Sequence, residues 1–271
     1  MKKLLLLLCC LTAATAAYPQ APWFVQRFKV TGGYFLALNT TDVKVTNNEL
    51  LGTKVNLEDD LGFSNQVHTF LANAQWRATS RARFDFSYYR LHRSATHQLD
   101  RTIQFGENTY QVNGQTDAYF NADIFRGSFG YAIFQGSRYE AGLMIGAHVV
   151  KTNMGIALTG AGDGLDIKDD YDVTAPMPDA GIWGGFAFAP RWALNAEASY
   201  MALKVDDING NIFSGSVQVN YQVIPSLSAA VGYNMLHLDV DGKRNGLLGD
   251  VAWKYNGPSV SVSYSFGKKR W

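Results

Sequence analysis

For most of its length the chain takes apolar and polar residues in turn. Near the carboxyl end, "PSVSVSYSFG" sets Ser259, Ser261, Ser263 and Ser265 against Val260, Val262, Tyr264 and Phe266. A strand sends successive side chains to opposite faces, so one face there carries hydroxyls and the other apolar bulk. The same alternation appears early, in "RFKVTGGYFLAL". Phe28, Val30, Tyr34, Leu36 and Leu38 share one face, and Lys29, Thr31, Gly33 and Ala37 the other, with Phe35 the exception. Further on, Phe70, Ala72, Ala74 and Trp76 oppose Asn73, Gln75 and Arg77, and Phe84, Phe86 and Tyr88 oppose Arg83, Asp85 and Ser87. Comparable runs follow around Phe129, Leu143, Phe186, Leu194, Val219 and Val231. A period of two, with no clear helix-period face after the first residues, predicts an all-β chain.

The runs predict about ten strands, with eight or twelve the alternatives, each of about 9–11 residues. "FNADIF" and the stretch around Pro176 and Pro178 blur the count. Connections alternate between two kinds. Tight turns fall near Ser80, Gly136, Pro190 and Pro225, and longer polar or glycine-rich segments fall at 40–65, 95–116, 153–172, 204–211 and 240–249. Short links on one rim and long ones on the other predict a closed antiparallel up-and-down barrel that crosses a membrane, with the long loops extracellular.

The first residues change the compartment. Lys2 and Lys3, the apolar run Leu4 to Leu11 and the small residues "ATAA" make up a secretory leader, so residues 1–17 are expected to be removed and 18–271 to form the barrel. Both cysteines, Cys9 and Cys10, fall in that leader, which leaves an exported chain without a disulfide framework. A formal net charge of +1 gives no electrostatic reason to expect a nucleic-acid partner.

Alternation alone does not say which face is wet, since a soluble lipocalin-like barrel alternates too. Three features point to lipid outside. The apolar face carries Trp76, Tyr88, Tyr131, Tyr139, Trp192, Tyr200, Tyr221 and Tyr233 near strand ends, where amphipathic rings suit a membrane interface. The other face mixes small residues with charges of both signs, Arg83, Asp85, Arg126, Arg138, Glu140 and Glu197, expected to line the lumen and pair there. Closure, finally, removes the sheet edges that hydrocarbon does not tolerate.

On these features the sequence resembles the bacterial outer-membrane β-barrel proteins, small and poorly characterised members among them. In that family the last strand ends on an aromatic residue with apolar residues at every second position before it. Phe266, Tyr264, Val262 and Val260 match that spacing, although "GKKRW" follows and leaves Trp271 as the terminus, out of phase. "GTKVNLEDDLGF" (52–63) also looks like a loop phrase of one branch of these barrels. The resemblance implies a location in the outer membrane. It also implies contact with outer-membrane lipid and lipopolysaccharide, and handling by periplasmic chaperones and the barrel assembly machinery. A monomer is expected.

Candidate chemistry is thin. Some outer-membrane barrels are hydrolases, omptin-like or lipid A deacylase-like, and His92 or His97 with Asp100 offers ingredients at the outer rim. No family motif surrounds them, so no catalytic residue is assigned. The acidic stretch holding Asp163, Asp166, Asp169, Asp170 and Asp172 fits no calcium-loop spacing, and neither metal nor cofactor is expected. The function expected is a structural or surface-interaction role in the envelope, with at most limited passage of small solutes through a narrow polar lumen.

Overall fold

The computed structural model describes residues 22–46, 52–105, 108–159, 168–205, 208–244 and 247–267. The expected leader, Asp163, Asp166 and Trp271 lie outside them. In chain order the strands are β1 (Phe28–Thr46), β2 (Val55–Asn56), β3 (Gln66–Arg77), β4 (Ala82–Gln98), β5 (Ile103–Phe105), β6 (Asn108–Tyr110), β7 (Gln115–Gln135), β8 (Tyr139–Thr159), β9 (Lys168–Ala189), β10 (Trp192–Val205), β11 (Ile208–Ile224), β12 (Leu227–Arg244) and β13 (Leu247–Phe266). No helix occurs among the described residues.

Every long strand pairs antiparallel with the next, and β13 returns to pair with β1, so ten strands close a barrel. Its seam starts at Phe28↔Phe266, whose rings stack at 5.3 Å. The short β2 pairs with the outer part of β1 beyond the end of β3, and β5 and β6 form a separate hairpin.

The strands run longer than the alternating pattern indicates, from 12 residues in β3 to 22 in β9. Much of what reads as loop in 40–65, 153–172, 204–211 and 240–249 is paired strand. Above the membrane both faces are wet, so the apolar alternation fades while the hydrogen-bonded ladder continues.

Pro176 and Pro178 sit inside β9, opposite Val149 and Ala147 of β8. The β8 ladder runs through both, so their missing N–H groups lie on the β10 side. Pairing between β9 and β10 accordingly stops at Ala180↔Tyr200, although both strands continue. Beyond it the two strands share no ladder.

The faces sort as one apolar outside and one filled inside. Val260, Val262, Tyr264 and Phe266 are about half exposed, whereas Ser259 and Ser263 are 5% and 6% exposed. Leu143, Ile145, Ile182, Phe86 and Val231 continue the outer belt around the barrel. Its edges are aromatic. Trp76, Tyr131, Tyr139, Trp192 and Tyr221 stand near the short turns, and Tyr88, Tyr200 and Tyr233 stand further up their strands. Two of the upper rings have polar partners for their hydroxyls: Tyr88 donates to Asp123 and Tyr233 to Asn256, each at 2.6 Å. Apolar bodies with satisfied polar tips fit the boundary between hydrocarbon and head groups.

Candidate functional site

Among the described residues, charged side chains from many strands converge in the lumen, which is filled in three layers. At the short-turn end, Trp23, Phe24 and Val25 precede β1 and pack on Ala187 and Ala193. The approach is tight: a Cβ on Gly185 would lie 2.7 Å from the Phe24 ring.

Above this segment lie the ion pairs. Arg77 donates to Glu140 at 2.7 Å, with both side chains buried. Arg83 contacts Asp85 at 3.0 Å and Glu197 at 3.6 Å, and Gln75 donates to the second Asp85 oxygen at 2.6 Å. Arg83 also lies over Trp183, its guanidinium carbon 3.7 Å from the ring centroid, a cation–π contact removed from bulk water. Arg126 donates to Asp179 at 3.0 Å and reaches Glu197 at 3.4 Å, while His148 Nδ1 is 2.9 Å from the other Asp179 oxygen. Burying such charges is tolerable because each guanidinium meets a carboxylate. Between these pairs and the β10–β13 wall remains a polar cavity of about 140 Å³.

The third layer is apolar and closes the outer end. Leu57, Leu61 and Phe63 from the segment after β2, and Leu99, Ile103, Phe105 and Tyr110 from the β5–β6 region, meet Phe120, Trp253 and Leu238 of the wall. Phe120 and Trp253 touch edge to face across the lumen at 5.5 Å. One buried ionic knot ties this cap down. Glu58 pairs with Arg93, Arg93 donates to Thr41 Oγ1 at 2.6 Å, and the Thr41 N–H donates to Glu58 at 2.8 Å. A second tie is solvent-facing: Arg101 grips both oxygens of Asp60, at 2.8 and 2.6 Å, and the Asn56 N–H donates to the same carboxylate. Partial burial raises the Asp60 pKa, but the Arg101 bonds and that N–H together outweigh it and hold the carboxyl below its ordinary value.

Of the six charges read as lumen-lining, Arg83, Asp85, Arg126, Glu140 and Glu197 line the cavity. Arg138 does not. It lies in the turn before β8 and is exposed, because beyond the last paired residue the strand parity no longer directs a side chain inward. Arg77, His148 and Asp179 belong to the same networks without standing out in the sequence. Arg77 stood on the polar face, and Asp179 was hidden by the neighbouring prolines. Glu58 carries no strand-periodic signal at all.

The histidines are dispersed. His68 bonds Tyr34 on the outer wall, His92 accepts from Arg90 at 2.9 Å, and His237 lies 3.1 Å from Asp239. His97 is 3.9 Å from Asp100, beside the lid turn at Gly62. Among the described residues none of these rings bonds a serine hydroxyl. No group of three or more potential metal ligands occurs among them either.

Comparison with known proteins adds the fold. No protein-family model matches the sequence, and no curated protein does. The outer-membrane protease OmpT of Escherichia coli superposes with a TM-score of 0.51 at 11% identity, over 90% of this chain and all of that one. The toluene transporter TodX of Pseudomonas putida gives a TM-score of 0.38 at 11% identity, covering 91% of this chain and 92% of that one. The attachment invasion locus protein Ail of Yersinia pestis gives 0.32 at 8%, covering 86% and 97%.

The chain has the outer-membrane β-barrel fold. At such identities the likeness concerns architecture alone. Location follows from the barrel's own surface together with that fold: a closed sheet with an apolar belt between aromatic girdles sits in the bacterial outer membrane.

Proposed function

We propose that this outer-membrane barrel is a closed, non-conducting envelope protein that works through its outward-facing surface. One observation carries the reading. The lumen is occupied at three levels, by the segment at Phe24, by the paired charges and by the apolar cap, and the cavity beside the paired charges holds about 140 Å³. Small barrels have interiors that side chains nearly fill, and this one adds two chain segments to the filling. The solute passage considered from sequence would have to cross all three layers.

In this reading the protein is a monomer set among outer-membrane lipid and lipopolysaccharide. Periplasmic chaperones and the barrel assembly machinery deliver it, with Val260, Val262, Tyr264 and Phe266 as the terminal signal. The cap, held against the wall by Glu58 and Arg93, is the rigid surface offered to the exterior.

Planar-bilayer recording on the refolded protein tests the proposal. The expected trace has no stable unitary steps. Large, long-lived conductance from the unmodified barrel would overturn it.

A further inference from the structure

The cavity has two unlike walls. Along β4, β7 and β8 it meets the ion-paired groups, with Trp183 of β9 beside them, whereas β10–β13 present amides and hydroxyls, including Asn195, Gln218, Asn220 and Ser263, with Glu197 the exception. Glu197 is shared between Arg83 and Arg126. Lys29 enters from β1 between Gln75 of β3 and Ser265 of β13, where the ion-paired wall that holds Asp85 meets the uncharged one. Among the described residues the Lys29 ammonium makes no hydrogen bond and no ion pair, while each other charged side chain of this lower lumen has an opposite charge within 4 Å. Phe24, Lys29, Asn195 and Asn220 line both the cavity and the narrower space beside the amino-terminal segment, so they mark its base.

An unpaired ammonium removed from bulk water needs compensation, and here every nearby carboxylate is already held by a guanidinium. A lysine offers three donors around a compact positive charge, and amide and hydroxyl groups add neutral donors. Charge-assisted hydrogen bonds to an oxyanion are the strong interactions such a set makes. We propose that the base of the lumen is a binding site for one small oxyanion of the phosphate, sulfate or monocarboxylate class, with Lys29 as its charge partner and Asn195 and Asn220 as neutral donors. The site lies within the lumen and requires no continuous pore.

Calorimetric titration of the full chain, refolded in detergent at constant ionic strength, provides the test, with inorganic phosphate as first probe and sulfate and acetate as alternatives. One saturable site is expected. Lys29→Gln is expected to weaken binding at least ten-fold, and Asn220→Ala several-fold with the lysine kept. Lys54→Gln, at an exposed lysine paired with Asp42, leaves binding unchanged. To allow for slow entry, phosphate is also present during refolding, and retained anion is counted after gel filtration. No saturable heat and no retained anion would overturn the proposal, since cavity water alone would then serve Lys29. Equal affinity in Lys29→Gln would overturn it as well. If that variant does not refold, wild-type affinity in Asn220→Ala has the same force.

Discussion

Arg83 of β4 lies against Trp183 of β9 at 3.7 Å, across a lumen too narrow for water between them. Gly130 makes the room, since a Cβ there would fall 2.8 Å from the Trp183 indole nitrogen and 3.1 Å from Arg83. Gly130→Val is therefore expected to destabilise the barrel by about 1–3 kcal/mol through overpacking. Gly127→Ala, on the outer face with its nearest neighbour at 3.6 Å, should stay within about 0.5 kcal/mol of wild type. Urea unfolding in lipid vesicles, followed by tryptophan fluorescence, separates the two.

The Arg77–Glu140 pair gives a sharper contrast. Glu140→Ala strands a buried guanidinium, and a loss of about 3–5 kcal/mol is expected. Arg77→Met combined with Glu140→Met removes both charges and should recover most of that loss. A double mutant less stable than the single one would contradict this account of the pair.

Much of this architecture is legible in the sequence, and the reason is physical. Lipid outside and polar groups inside impose a period of two, so the strands and the inward direction of Arg83, Asp85, Arg126, Glu140 and Glu197 can be read from parity. Pairing across the lumen cannot be read that way. Which guanidinium meets which carboxylate depends on strands far apart in sequence, as in Arg77 with Glu140. The cap is invisible for another reason. Glu58, Phe63 and Leu99 are buried by loops folding over the mouth, and no periodicity marks a loop residue as core. Arg138 shows the limit of parity, which ends with the ladder.

Acid should loosen the cap before the wall. The Asp60 pKa lies below its unfolded value, so its contribution to cap stability is fully present above about pH 4. That contribution is lost as pH falls through the lowered folded-state pKa. Hydrogen exchange of residues 52–63 should be flat from neutral pH to about 4, once corrected for intrinsic rates, and should quicken below it. Asp60→Asn should exchange faster at neutral pH and lose most of that acid step.

The terminal strand can be interrogated in cells. Phe266 closes the seam by stacking on Phe28, so Phe266→Ala is expected to lower the folded, heat-modifiable fraction in the outer membrane several-fold. Trp271→Ala should leave that fraction near wild type. The reverse ranking would move the assembly signal to the last residue.

The break in the ladder above Ala180 has a meaning for crowded membranes. Barrels there sit shoulder to shoulder, and a bare strand rim is an invitation for neighbours to zip together. With Pro176 and Pro178 on that rim, two rungs of any such zipper are missing from the start. An unsewn margin that carries two prolines is therefore a poor template for a neighbouring strand.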